Sequence, residues 1–154
     1  MYGGVEDTGI VSNELWAFDV SSKIWENVTV RADHCNGTGL HSNGSHICSP
    51  LKSAGHTATV VATRSKKSDR MIVIFGHSPV YGYLNTVQEF YFGTREWHIV
   101  KTRGHPVKGG YGHTAVLDPY SHKIYVYGGL MSDRQYNPFL SDKLYSYDVN
   151  THLW

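Results

Sequence analysis

Apolar and polar residues alternate along this chain in short runs, and no stretch repeats its apolar residues at helical spacing. The runs are rich in β-branched and aromatic residues, as in "GHTATVV" (55–61), "MIVIFGH" (71–77) and "KIYVYGG" (123–129), and polar clusters separate them. That pattern predicts strands joined by turns, an all-β chain. Three runs stop on glycine: at Gly3 and Gly4, at Gly76, and at Gly128 and Gly129. A strand that turns abruptly with positive φ, or lies against a neighbour's backbone, penalises a Cβ, and this is the role expected of these glycines.

The strands recur as a unit. Aligned on Trp25, Trp97 and Trp154, the preceding residues are "NELWAFDVSSKI" (13–24), "NTVQEFYFGTRE" (85–96) and "DKLYSYDVNTHL" (142–153). Each begins with Asn or Asp, has an apolar residue two places on (Leu15, Val87, Leu144) and an aromatic seven before the Trp (Phe18, Phe90, Tyr147). Upstream, "GHTATVV" matches "GHTAVLD" (112–118), which puts His56 and His113 at equivalent places. The expected unit is four strands: one from "GHT", a second ending on Gly-Gly, a third after a variable loop, and a fourth carrying the Trp. In the middle copy Gly76-His77 is expected to stand for Gly-Gly, and Met1 aligns with Ile74 and Val126. One four-stranded sheet cannot bury both its faces, so the Trp and Tyr rings are expected to fill the space between successive sheets.

Four strands, Gly-Gly after the second, and spaced Tyr and Trp resemble the kelch repeat of β-propellers, roughly 50 residues per blade. "VIFGHSPVYGYLNTVQEFYFGTREW" (73–97) and "GGYGHTAVLDPYSHKIYVYGG" (109–129) are similar to the kelch region of attractin and attractin-like proteins. The resemblance implies a kelch-type propeller fragment of about two and a half four-stranded blades, not closed by itself, since closed propellers have roughly 4–8. The expected division is a partial blade over 1–33, an insertion loop over 34–49, a complete blade over 50–107, and a blade lacking most of its fourth strand over 108–154. Such a piece is expected to be marginal or aggregation-prone alone. The chain departs from the usual pattern in having no Arg two places before either "GH", and in 29 residues between Trp25 and Gly55 against 14 between Trp97 and Gly112.

That insertion changes the picture of compartment. It holds the only two cysteines, Cys35 and Cys48, and three glycosylation acceptor triplets begin at Asn27, Asn36 and Asn43. Clustered triplets beside a close Cys pair point to an oxidising, secretory compartment and a local Cys35–Cys48 disulfide. No signal peptide opens the chain and no stretch approaches a membrane-spanning length, so a targeting signal or anchor is expected outside it. A formal charge of +1 points to neither nucleic acid nor a membrane surface. The one basic run, "RSKKSDR" (64–70), reads as a solvated hairpin tip.

Strands alternate in direction, so the 2–3 and 4–1 loops emerge together. They are the long ones: 5–12, 78–84 and 130–141, then 31–54 and 101–111. Long loops on a rigid scaffold are where binding resides. Tyr81 and Tyr83 in one, and Arg134, Tyr136 and Phe139 in another, are the binding candidates by residue type, although such rings also pack their own loops. His77 is a further candidate to line that face.

Catalytic patterns are missing. There is no Gly-x-Ser-x-Gly, no phosphate-binding Gly-x-x-x-x-Gly-Lys and no carboxylate pair at active-site spacing. His34, Cys35, His41, His46 and Cys48 match no common zinc spacing, so neither metal nor cofactor is expected. The recurrence of His56 and His113 in "GHT" argues for packing. Some kelch-like propellers are copper oxidases, but both cysteines here lie in one loop. The attractin resemblance implies a non-enzymatic extracellular protein-interaction module: part of a cell-surface or secreted glycoprotein that acts as accessory receptor or adhesion component, with links to agouti–melanocortin signalling. Its partners would be a protein ligand or co-receptor and the remaining blades. The rival reading is an intracellular kelch adaptor presenting substrates to a ubiquitin ligase.

Overall fold

The computed structural model describes residues 1–32, 47–132 and 137–154. Its strands are, in chain order, β1 (Trp16–Asp19), β2 (Ile24–Asn27), β3 (Thr57–Val61), β4 (Arg70–Ile74), β5 (His77–Ser78), β6 (Gly82–Tyr83), β7 (Val87–Tyr91), β8 (Glu96–Val100), β9 (Gly110–Tyr111), β10 (Thr114–Asp118), β11 (Lys123–Tyr127), β12 (Leu130–Ser132), β13 (Pro138–Leu140) and β14 (Leu144–Asp148). Among the described residues there is no α-helix, only one 3-10 turn at Lys66–Ser68.

Three antiparallel sheets follow one another. Sheet I pairs β1 with β2, and a Tyr2–Leu15 bridge adds the segment at 1–3 beside β1. Sheet II has the order β3-β4-β7-β8 and sheet III the order β10-β11-β14, with Leu153 bridged to Asp148 at the next position. The tight turns before each Trp repeat as well: Lys23, Arg95 and His152 take φ of 59°, 60° and 57°, and each donates its N–H to the carbonyl four residues back. All five residues of β4 are buried, as expected of a central strand covered on both faces, whereas every residue of β10 is exposed or half-buried.

The sheets stack face to face and form two seams. Tyr2 and Leu15 of sheet I meet Met71, Val73, Phe90 and Trp97 of sheet II. On the far side, Ile72, Ile74, Phe75 and Val87 meet Ile124, Val126, Tyr147 and Val149. The three aligned tryptophans occupy matching places: Phe18–Trp25, Phe90–Trp97 and Tyr147–Trp154 have centroid distances of 4.9, 5.1 and 4.9 Å and interplanar angles of 42°, 44° and 44°. The outermost faces repeat the seam chemistry without a neighbour. Leu15 and Val87 are buried while the equivalent Leu144 is 65% exposed. The chain is therefore an open arc of a propeller, with none of its sheets closed into a ring.

The register corrects one alignment. Val87 pairs with Ile74 and Leu144 with Tyr127, while Leu15 bridges Tyr2. Tyr2, Ile74 and Tyr127 are thus equivalent, and Met1 matches Val73, not Ile74. The Gly-Gly positions of sheet II are Phe75-Gly76, not Gly76-His77. The backbone agrees: Gly3, Phe75 and Gly128 have φ of 59°, 57° and 73°, and Gly4, Gly76 and Gly129 have 97°, 112° and 93°. Phe75 holds a left-handed conformation that L side chains avoid, and its ring is fully buried.

Candidate functional site

The long loops knit together at one end of the stack. β5 and β6 form a two-residue hairpin within 78–84 and its approach, and Ala54 of the preceding crossover bridges His77. β12 and β13 form a second hairpin, which β9 from the next crossover extends. The grouping of the 2–3 and 4–1 loops on one face, expected from strand alternation, is what these ladders show.

Three rings converge there. His77 stands edge-on to Tyr83 and to Tyr111, with centroids 5.7 and 5.6 Å away, and the two tyrosines lie 5.7 Å apart at 30°. All three are half-buried. With Val5, Val11, Ala54 and Gly55 they line a cleft of about 380 Å³. Tyr83 is also a wall of a second cleft of about 560 Å³, bounded by Asn85, Pro106, Val107, Lys108 and Ser132. Aromatic rings with a polar tip over apolar side walls, backed by a bonded scaffold, are suited to anchoring a partner's side chains.

The candidates named from sequence divide. Tyr83 lies at the centre of this site. Tyr81 packs against Leu84 of its own loop and against Ile47 and Leu51 of the 31–54 crossover. Phe139 is exposed on β13, and the Lys108 ammonium sits 5.2 Å from its ring centroid. Arg134 and Tyr136 lie outside the described residues, as do Cys35, Asn36 and Asn43. Asn27 closes the exposed outer strand β2, and Cys48 is half-buried. Sequence reasoning missed Tyr111 and Lys108. Tyr111 had a signal: it is aromatic where the equivalent residue before the other "GHT" is Ala54.

Polar groups inside the seams are structural. His56 packs on the Tyr2 ring at 5.1 Å, and His113 on Phe75 at 5.3 Å. The carbonyls of Tyr2 and Ser53 face His56 and that of Ile74 faces His113, while neither Nδ1 makes a hydrogen bond of ordinary geometry. The His113 Nε2 is 2.9 Å from the Thr57 Oγ1. Burial lowers both imidazoles below their usual range, His113 to about 4 with the neighbouring His56 as a second cause. At the outer part of the second seam, the Arg70 Nε donates to Glu89 Oε1 at 3.1 Å and its Nη2 to the Val149 carbonyl at 2.7 Å. The Tyr91 hydroxyl donates to Glu89 Oε2 at 2.8 Å; burial first, then the Glu89 charge, push that phenol up to about 12. Arg70, expected in a solvated tip, is thus a buried bridge between sheets. It supplies an inter-blade arginine contact from β4, although no Arg stands two places before either "GHT". Among the described residues no group of three or more His, Cys, Asp or Glu side chains could hold a metal, and no helix is long and apolar enough to cross a membrane.

Radially stacked sheets, glycine-ended second strands and Trp-bearing fourth strands define a kelch-type β-propeller segment. The chain belongs to the Attractin/LZTR1 beta-propeller family, whose model matches residues 1–154. It is 34% identical over its full length to Putative protein tag-53 of Caenorhabditis elegans, of which it spans 11%. Over 49% of its length it is 32% identical to mouse Multiple epidermal growth factor-like domains protein 8, spanning 2% of that protein. It is 26% identical over its full length to rat Kelch domain-containing protein 3, spanning 36% of it. Propellers of this type are protein-interaction modules, and the chain is one such module.

Proposed function

We propose that this propeller segment is a non-enzymatic interaction module of an extracellular, attractin-like glycoprotein, and that it engages a protein ligand or co-receptor through its long-loop face. The observation that carries the binding surface is the His77–Tyr83–Tyr111 cluster, with clefts on both sides of Tyr83. Support for the compartment comes from the three acceptor triplets at Asn27, Asn36 and Asn43 around Cys35 and Cys48, and from the exposure of Asn27 on the outermost strand. The likeness to a protein named for epidermal growth factor-like domains agrees, since those are disulfide-dense modules of secreted chains. In this reading Cys35 and Cys48 are joined, a membrane anchor lies elsewhere in the protein, and the protein acts as accessory receptor or adhesion component, with agouti–melanocortin signalling the context the attractin likeness suggests.

The likeness to Kelch domain-containing protein 3 over the whole chain supports a second reading, an intracellular adaptor that presents a substrate to a ubiquitin ligase. Peptide mapping of protein made in animal cells, before and after enzymatic deglycosylation, separates the two. The extracellular reading expects Asn-to-Asp conversion at 27, 36 or 43 and a linked Cys35–Cys48 peptide. Unmodified asparagines with free thiols favour the adaptor.

A further inference from the structure

The Tyr83 ring separates two clefts of different chemistry. The one of about 380 Å³ has apolar side walls of Val5, Val11 and Ala54 and no Lys, Arg, Asp or Glu in its lining. The one of about 560 Å³ is polar, with Asn85, Lys108 and Ser132 in its lining. Lys108 is the single Lys, Arg, Asp or Glu among the described residues that line either cleft. It is exposed and makes no ion pair with a described residue. The Phe139 ring, 5.2 Å from its Nζ, steadies the ammonium on one side. The surrounding loops are of one sign: 101–111 contains Lys101, Arg103 and Lys108 and no carboxylate, and 78–84 contains no charge. The backbone fixes Lys108 beside Tyr83. The Gly110 N–H donates to the Leu84 carbonyl at 3.1 Å, and a Cβ on Gly109 would overlap that same carbonyl, so only glycine allows this approach.

We propose that the two clefts together read an extended segment of a protein partner in which an apolar side chain and an Asp or Glu lie two residues apart. The apolar side chain enters between Val5, Val11 and the Tyr83 and Tyr111 rings, and the carboxylate meets the Lys108 ammonium. This rests on the long-loop face being the binding surface, and it adds the chemistry of what binds there. Residues two apart in an extended segment point the same way with about 6–7 Å between them, so they straddle a single aromatic ring. The charge selects a carboxylate. One ammonium, with the Asn85 amide as a neutral donor in the same cleft, suits a single negative charge, whereas phosphoryl groups are held by forked, clustered arginines. A basic segment is rejected by the like charge of Lys108. The uncharged cleft supplies apolar burial, and the ammonium fixes the direction and register of the segment.

Short random peptides displayed on phage are the probe, selected separately on the whole chain, on Lys108→Glu and on Tyr83→Ala. The affinities of the enriched peptides for all three proteins are then measured by fluorescence anisotropy. Peptides enriched on the parent are expected to share an apolar or aromatic residue with Asp or Glu two places away. Their affinity is expected to fall about tenfold or more in Tyr83→Ala and in Lys108→Glu. Selection on Lys108→Glu is expected to replace the acidic residue with Lys or Arg. Because Lys108 is exposed, reversing its charge tests the recognition without disturbing the core. Peptides that lose affinity in Tyr83→Ala but show no acidic preference, or that bind Lys108→Glu unchanged, overturn the proposal and leave the long-loop face as the binding surface. No enrichment, or peptides indifferent to both substitutions, overturns the proposal and that reading together.

Discussion

Phe75 of sheet II stacks on Trp154 of sheet III, with ring centroids 5.4 Å apart and planes 23° from parallel. The contact exists because a phenylalanine occupies a position where sheets I and III have glycine. Two effects oppose each other there. A left-handed non-glycine residue stores roughly 1–2 kcal/mol of backbone strain. A fully buried Phe ring contributes roughly 3–5 kcal/mol on truncation. Packing is the larger, so Phe75→Gly is expected to lower stability by about 2–3 kcal/mol although it restores the glycine pattern. Urea unfolding followed by tryptophan fluorescence checks this. A variant as stable as the parent would mean that the strain outweighs the stacking.

Arg70 and Glu89 are both buried, and their bridge reaches across the seam to Val149. Taking two charges out of water offsets much of their attraction, so the pair itself adds little, but an orphaned partner is expensive. Glu89→Ala is expected to lose on the order of 3–5 kcal/mol. The double change Arg70→Met with Glu89→Leu is expected to recover most of that loss. A double-mutant cycle from denaturant midpoints measures it, and a double variant no better than Glu89→Ala would show that the charges are needed for the seam geometry.

The sequence disclosed the repeat because the repeat lives in residue types with few substitutes. A Trp seven residues after an aromatic, or "GHT" at a strand start, stays visible without coordinates, and the Phe90–Trp97 and Tyr147–Trp154 pairs sit where that spacing put them. Frame was harder to read where one glycine replaced two. Gly76 alone fits either position of a Gly-Gly pair, and only the pairing of Ile74 with Val87 decides between them. Arg70 was hidden for a different reason. Its neighbours Arg64, Lys66 and Lys67 are solvated, and burial of the last basic residue depends on Val149, 79 residues away. At the loop face, Tyr83 was legible from type and loop length. Its pairing with His77 lies within one hairpin, whereas the addition of Tyr111 depends on a second loop meeting that hairpin, which no local pattern encodes.

Acid should weaken the seams through the buried histidines. His113 is lowered from 6.5 to about 4 by burial and by His56. As pH falls, the unfolded chain therefore takes up a proton before the folded one does. The stability tied to His113 is intact above about 6.5 and is lost as pH drops toward about 4, at up to about 1.4 kcal/mol per pH unit for one group. His56 shifts in the same direction and adds to the slope. Denaturant midpoints across that window should fall for the parent chain and fall less for His113→Gln. An equal slope in the two proteins would remove His113 as the cause.

The strongest contrast the repeat offers is one substitution made at two equivalent places. Trp97 is fully buried and touches Tyr2 at 4.6 Å as well as Phe90, so both a seam and a strand pair depend on it. Trp25 keeps the matching contact with Phe18 but is 51% exposed, because its outer face has no sheet against it. Trp97→Ala is expected to lose on the order of 3–5 kcal/mol, and Trp25→Ala less than about 1 kcal/mol, in this chain. In a longer protein that places a further blade against sheet I, the loss at Trp25 should climb toward that at Trp97. Thermal and denaturant unfolding of the two variants in both contexts reads this directly. A Trp25 loss that stays small when a blade is present would mean that this face is not a propeller seam.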